Sequence, residues 1–146
     1  MYQKCLTYDL ESYPNFFSFT GYDRYTKQWY VFEDSPRKSE IPLLREWLFY
    51  WKKQGYKMIG FNNIGYDYPM LHHLMENQWV TNFEHMYQMN EKIIGTPWER
   101  RWDNIVPTWK TIIPQIDLFK IHHFDNDAKR TSLKQLEFVM RRQPIE

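Results

Sequence analysis

The order of secondary-structure signals constrains the fold of this chain more than any other feature. Residues 4–11 alternate between apolar and polar side chains, which predicts a strand with Leu6, Tyr8 and Leu10 on one face. Two aromatic-rich runs follow after short polar connections, at residues 16–22 and 28–33. Because short connections join neighbouring antiparallel strands, the three runs are expected to form a meander.

Helical spacing begins after this meander. A helix is predicted to start behind Ser39 as its N-cap and to end near Gln54, before Gly55. A short apolar strand is predicted at residues 57–61 and a second helix at residues 67–79. This order of elements is typical of an α/β fold, in which the intervening helix lets the fourth strand lie parallel beside the first.

The second half of the chain gives weaker signals. Residues 82–92 are predicted to be helical, residues 116–121 to be a fifth strand or an extended segment, and residues 131–142 to be a final helix. The stretch at 95–114 has no assigned structure. Its tryptophans could stack on unpaired bases or belong to a core or an interface: Trp98, Trp102 and Trp109.

Composition limits the classes of protein that remain. A chain of 146 residues with 42% hydrophobic and 19% aromatic residues is expected to be one folded domain, not a disordered tail. The net charge of +1 points to no partner, and the single cysteine excludes an intramolecular disulfide and a Cys-rich zinc site. Without a signal-peptide core or an apolar run of ~20 residues, we expect a soluble cytoplasmic protein that does not enter membranes.

Three acidic residues are expected to meet at one edge of the sheet. Asp9 and Glu11 are two residues apart on a strand, so their side chains point the same way. Asp67 follows the fourth strand, and ligand sites in such sheets lie at the carboxyl ends of the strands. Carboxylates held close together repel unless a cation lies between them. Three oxygen donors favour Mg²⁺ or Mn²⁺, and such a cluster can hold two ions ~3.5–4 Å apart.

Each of these residues also has an ordinary structural explanation. A D-x-E pair at a strand end is commonly a solvent-exposed feature. Asp67 could be the N-cap of its helix, and Asn62, Asn63 and Gly65 are common turn residues. The shared predicted edge favours a site over these separate explanations.

Two sequence motifs carry a resemblance to a known family. Residues 9–11 read DLE after an apolar strand, and residues 61–71 read FNNIGYDYPML. They match D-[IL]-E and [YF]-N-x-x-x-[FY]-D-x-P-x-L, which are motifs of the 3′→5′ proofreading exonucleases with four acidic metal ligands (the DEDD superfamily). The chain most resembles the exonuclease domains of family B, often viral, DNA polymerases. DLFK at 117–120 and SLKQL at 132–136 extend the resemblance over about residues 4–140.

The resemblance implies an RNase H-like exonuclease fold over residues 1–146, with a mixed sheet flanked by helices. It implies two-metal-ion hydrolysis of the 3′-terminal phosphodiester of DNA, as in the proofreading domain of a DNA polymerase, in the host cytoplasm if the protein is viral. Asp9, Glu11 and Asp67 would be the catalytic ligands of Mg²⁺ or Mn²⁺. Leu10, or the backbone near it, and Asn62 would contact the terminal nucleotide of a single-stranded 3′ end.

A basic cluster at residues 120–134 offers a second contact with nucleic acid. Lys120 and Lys134 could follow the phosphate backbone of a strand. A mixed, solvated surface explains the cluster equally well, because Asp125 and Asp127 lie within it.

The sequence departs from the family at the third motif, Y-x-x-x-D or H-x-x-x-x-D. After Ser132 the chain contains no Asp, Tyr or His. We therefore expect a domain truncated at its C-terminus, which lacks the helix that carries the fourth carboxylate. Alternatively, a second chain completes the site, or the protein is a catalytically incomplete nucleic-acid-binding or interaction module.

Substitutes for the missing residues are also conceivable from the sequence. Asp117, Asp125 or Asp127 could supply a fourth carboxylate, and the His122–His123 pair could replace the water-positioning residue. The same carboxylates would suit an RNase H-like endonuclease or an exonuclease that acts on RNA.

Overall fold

The computed structural model describes residues 3–122, which form one mixed sheet with helices packed against it. The sheet has the strand order β4–β3–β2–β1–β5–β6, in which β1 to β4 pair antiparallel and β5 pairs parallel with both β1 and β6. The strands are β1 (Cys5–Tyr13), β2 (Phe16–Asp23), β3 (Gln28–Ser35), β4 (Lys38–Ser39), β5 (Lys57–Gly60) and β6 (Gln115–Asp117). The helices are α1 (Ile41–Lys53), α2 (Asp67–Glu76), α3 (Phe83–Ile94) and α4 (Leu118–His122), with 3₁₀ helices at Trp98–Asn104 and Thr108–Lys110.

Strict alternation along β1 decides which face of the sheet is buried. Leu6, Tyr8 and Leu10 are buried, whereas Asp9 and Glu11 on the opposite face are exposed. The predicted meander and the parallel strand beside β1 are confirmed, and with them the α/β class of the fold.

Helix α1 packs its apolar face against the meander. Leu44, Leu48 and Trp51 lie on one face of the helix and are fully buried. The Trp51 ring stacks on Phe19 of β2 with centroids 5.9 Å apart. Such a pair stabilises the fold by about 0.5–1.5 kcal/mol beyond the burial of its area. Gly55 follows the helix with a φ of +81°, a conformation that glycine adopts without steric cost.

Arg45 of α1 fixes the C-terminal end of α2. Its Nε donates to the carbonyl oxygen of Leu74 at 2.9 Å, and its Nη2 donates to those of Asn77 at 3.1 Å and Val80. The last carbonyls of a helix lack partners within the helix, and the partly buried Arg45 guanidinium donates to them. The bonds hold α2 against α1, and Asp67 lies at the other end of α2.

The predicted boundaries at the first two helices are partly wrong. Ser39 does not cap α1, because it pairs with Asp34 across β3 and β4, and the N-cap is Glu40. Asp67 is not the cap of α2 either, since Tyr66 occupies that position and Asp67 is the first helical residue. Helix α2 ends at Glu76, because the backbone of Asn77 is extended.

Two further predictions are corrected by the strands. β1 continues to Tyr13, so Asp9 and Glu11 lie within the strand and not at its end. The segment predicted as a fifth strand or extended piece divides into β6 and α4 at Asp117. The helix predicted at 131–142 lies outside the described residues. Within residues 3–122, no helix is long and apolar enough to cross a membrane.

Candidate functional site

A gap between β1 and β5 forms the centre of the candidate site. The two strands pair only as far as Thr7 and Ile59, whereas β1 continues for six more residues to Tyr13. The backbone N–H of Leu10 donates to Oδ1 of Asp67 at 3.2 Å. The start of α2 therefore lies against β1 where β5 has ended, and the Asp67 carboxyl group meets the backbone between Asp9 and Glu11.

Burial makes the negative charge of Asp67 unfavourable. The residue is 6% exposed, and its pKa is raised to about 7, first by loss of hydration and then by the negative charge of Asp9. The hydrogen bond from the Leu10 amide acts in the opposite direction. A group with this pKa changes protonation close to neutral pH, which is typical of functional sites.

Asp9 shares the Leu10 amide with Asp67. Loss of hydration raises the pKa of Asp9, the charge of Glu11 raises it further, and hydrogen bonding by the Leu10 amide lowers it. The residue as a whole is exposed, although its carboxyl group loses part of its hydration to neighbouring atoms. One backbone N–H thus stabilises the charged form of two carboxylates from distant parts of the chain.

The pKa of Tyr66 is affected by the charges of all three acids. Burial raises its pKa to about 12, and the charges of Asp67, Glu11 and Asp9 raise it in that order. Its hydroxyl donates to Oδ1 of Asn90 on α3. The Asp67 carboxyl group thus lies beside the strand that bears Asp9 and Glu11, and the charges of all three acids act on the Tyr66 phenol.

Glu11 is oriented by a tyrosine on its own strand. The Tyr13 hydroxyl donates to Oε2 of Glu11 at 2.9 Å. The two residues are two positions apart, so their side chains share a face of β1. This spacing was the only signal in the sequence from which the contact could have been predicted.

Asp117 holds the loop that leads into α2. Its carboxylate accepts backbone N–H groups from Asn62 at 2.8 Å, Ile64 at 3.1 Å and Phe119 at 3.0 Å. Both of its oxygens are engaged and the residue is buried. The alternative in which Asp117 replaces the fourth carboxylate is therefore disfavoured, and its role is to shape the loop. Asp125 and Asp127 lie outside the described residues, as does His123.

The loop between β5 and α2 depends on tight local geometry. Asn62 is exposed and adopts a φ of +57°, in the left-handed region that asparagine tolerates better than most residues. Asn63 is fully buried, and its Nδ2 donates to Oε1 of Gln115 at 2.8 Å. A Cβ atom at Gly60 would lie 2.8 Å from that of Asn63, so only glycine fits there.

The other predicted nucleic-acid contacts are placed as follows. The Leu10 side chain is in the core, so only its backbone faces the acids. Lys120 is exposed on α4, with Nζ 5.5 Å from the centre of the Trp102 ring. Lys134 lies outside the described residues. The ring of Phe119 meets Phe61 edge-on at 5.5 Å, so α4 packs beside the loop that precedes α2.

The donor chemistry fits a hard divalent cation, but the ligand set is incomplete. Carboxylate oxygens are the ligands that Mg²⁺ and Mn²⁺ prefer. In the part of the chain that the structure describes, no three His, Cys, Asp or Glu side chains are gathered in a group that could hold a metal ion. Within residues 3–122 the predicted acids therefore do not form a gathered ligand group, and Asp67 contacts β1 through the Leu10 amide.

Comparison with known proteins adds no family to this picture. No protein-family model matches the chain, and no curated protein is significantly similar to it. Any functional conclusion therefore depends on the residues and geometry described above.

Proposed function

We propose that this chain is a metal-dependent 3′→5′ exonuclease domain with an RNase H-like fold that acts on the 3′ end of single-stranded DNA. The observation that carries the proposal is the hydrogen bond from the Leu10 N–H to Asp67. It joins the carboxylate of the second motif to the strand that bears Asp9 and Glu11. A meander followed by parallel strands beyond β1 is also the sheet that such a fold requires.

Asp9, Glu11 and Asp67 would hold Mg²⁺ or Mn²⁺. Such ions, when bound, lower the pKa of a water and stabilise charge on the attacking and leaving oxygens of a phosphodiester. The chain's own residues prepare the site. The Leu10 amide orients two carboxylates, and the Tyr13 hydroxyl orients that of Glu11. Asp67 must release its proton to act as a ligand, and its pKa of about 7 allows this near neutral pH.

Calorimetric titration with Mn²⁺ tests the metal assignment. Asp9→Ala and Asp67→Ala should each abolish measurable Mn²⁺ binding without unfolding the protein, because Asp9 is exposed and burial already opposes the charge of Asp67. Asp103→Ala is the matched control, since Asp103 is an exposed acid whose Oδ2 lies 3.1 Å from Nε of Arg100. Unchanged Mn²⁺ affinity in both site variants would show that the assignment is wrong.

One observation favours a second candidate, a nucleic-acid-binding or interaction module without turnover. The third motif is missing from the sequence, and the described ligand set is incomplete. A single-stranded oligonucleotide with a labelled 3′ end, incubated with Mn²⁺ and with EDTA as control, separates the two candidates. Metal-dependent release of nucleoside monophosphate by the 146-residue chain excludes the module. Binding of the oligonucleotide without metal-dependent cleavage excludes the exonuclease.

The same assay defines the substrate. A closed circular DNA tests for endonuclease activity, because it offers no 3′ end. A ribonucleotide at the 3′ terminus tests for preference between RNA and DNA, since the 2′-hydroxyl is the group that distinguishes them. A DNA polymerase domain, in the same chain or a separate one, is the partner that the proposal favours.

A further inference from the structure

Three tryptophans of the 95–114 segment are exposed on the surface. The exposed fractions are 56% for Trp98, 56% for Trp102 and 79% for Trp109. The alternative that places them in a core is therefore wrong. Large apolar side chains that cluster on a surface generally mark a binding site, because their burial is favourable once a partner covers them.

A cation lies over each of these rings. The Arg101 guanidinium is 3.6 Å from the centre of the Trp98 ring and 4.6 Å from that of Trp102. Lys120 Nζ is 5.5 Å from the Trp102 ring, and Lys110 Nζ is 4.9 Å from the Trp109 ring. The same arrangement of a cation over an indole ring therefore occurs three times among residues 98–120.

None of the ion pairs formed within residues 3–122 involves Arg101, Lys110 or Lys120. Asp103, an acid in the same 3₁₀ helix, pairs instead with Arg100. Exposed rings beside cations are the combination that binds unpaired nucleic-acid strands, in which bases stack on rings and phosphates pair with cations.

The backbone holds this surface in shape. Arg101 Nη1 donates to the carbonyl oxygen of Trp98 at 2.7 Å, which fixes the guanidinium near both rings. The amide of Asn104 donates to Oγ1 of Thr96 at 2.9 Å and closes the segment on itself. A platform that is already ordered loses less conformational freedom when it binds a flexible strand.

Helix α4 joins this surface to the acidic site. Lys120 lies three residues after Asp117, and Asp117 holds the loop that leads to Asp67. Phe119, beside Lys120, contacts Phe61 of that loop. The Trp102 ring therefore lies beside α4, which begins where β6 ends, and α4 contacts Phe61 just after the end of β5.

We propose that Trp98, Arg101, Trp102 and Lys120, named here the tryptophan platform, bind the unpaired strand that enters the acidic site. The bases stack on the indole rings and on the guanidinium plane, and Lys120 pairs with a phosphate. The ligand class, single-stranded DNA, rests on the proposed exonuclease function. Tryptophan and arginine also dominate protein interfaces, which makes a protein partner the competing occupant.

Fluorescence anisotropy with a labelled oligothymidine of about 12 nucleotides, a length that matches common single-strand sites, tests the platform. EDTA is present throughout, so neither metal binding nor cleavage is required. The double variant Trp98→Ala/Trp102→Ala should bind at least about 25-fold more weakly, since each stacked ring contributes about five-fold or more. Trp29→Ala is the matched control, because Trp29 is 68% exposed on β3 and should leave affinity unchanged.

Two single variants guard against a folding defect in the double variant. Lys120→Gln removes an exposed cation and should lower the salt dependence of binding by about one ion, and Arg101→Gln removes the guanidinium plane and should weaken binding. Unchanged affinity and salt dependence in all three platform variants would overturn the proposal. Equal weakening by Trp29→Ala, or equal affinity for duplex and single strand, would also overturn it. Loss of binding only to a protein partner would assign the surface to that partner.

The design separates this proposal from the exonuclease itself. If platform variants weaken binding while the wild-type chain fails to bind Mn²⁺, the platform stands and the exonuclease proposal falls. If Mn²⁺ binds as expected and the platform variants keep full affinity, the exonuclease proposal stands and the platform proposal falls.

Discussion

Replacing Asp67 by Asn should stabilise the metal-free protein at neutral and alkaline pH. The pKa of the buried carboxyl group is about 7 in the folded chain, against an ordinary value of 3.8. A shift of about three units corresponds to roughly 4 kcal/mol of preference for the neutral form, at 1.36 kcal/mol per unit. Asparagine keeps the shape and an oxygen that can accept the Leu10 N–H, and it carries no charge.

The pH dependence follows from the sign of this shift. Since the folded pKa lies above the unfolded pKa, folding favours the protonated carboxyl group. Wild type carries no penalty below the ordinary value of 3.8, loses stability as the pH rises towards 7, and then stays at the lower level. Asp67→Asn should thus be more stable by about 2–4 kcal/mol at alkaline pH, with a gap that closes on acidification.

Urea unfolding in EDTA across this pH range measures the effect. Asp103→Asn is the control, because the same chemical change at an exposed acid should alter stability by less than about 0.5 kcal/mol. Added Mn²⁺ should stabilise wild type and leave Asp67→Asn unaffected, since ligands stabilise only the state that binds them. A variant no more stable than wild type at alkaline pH would refute the argument that burial opposes the Asp67 charge.

Three further substitutions test the supports of the site by urea unfolding. Asp117→Ala should lower the free energy of unfolding by about 2–4 kcal/mol, because it leaves three backbone N–H groups without their acceptor. A decrease under about 1 kcal/mol would contradict this argument. Gly60→Ala should lower the free energy of unfolding by about 1–3 kcal/mol, because the added methyl group would meet Asn63. At Gly55 an added methyl group meets no neighbour, so Gly55→Ala should lower stability only through backbone strain. Arg45→Met should cost about 2–4 kcal/mol by freeing three carbonyl groups at the end of α2, and an unchanged midpoint would show that water replaces the guanidinium.

Local patterns predicted most of the sheet and the first helices. Alternation on β1 and helical spacing on α1 are properties of neighbouring residues, so they could be recognised without knowledge of the fold. Ser39 was assigned to a cap because the sequence does not show its pairing with Asp34, which is a tertiary contact. The tryptophan-rich segment could not be placed because it forms short 3₁₀ turns after Pro97 and Pro107, and these have no hydrophobic period.

The candidate site was only partly predictable, for a similar reason. Spacing on a strand placed Asp9 and Glu11 on one face, and the second motif singled out Asp67. The hydrogen bond that holds Asp67 against β1 is donated by the backbone amide of Leu10. A sequence pattern does not show which backbone amides donate to side chains. Asn90, whose Oδ1 accepts the hydrogen bond from the Tyr66 hydroxyl, belongs to α3. No pattern in the sequence links it to the acids.

The unequal lengths of β1 and β5 set a design rule for any engineered version of this domain. Two added residues that prolonged the β5 ladder would occupy the Leu10 amide and displace Asp67 from its neighbour strand. The acids would then separate even though every side chain was retained. Insertions are therefore expected to be tolerated at the tip between β2 and β3, and to be harmful in the few residues that follow Gly60.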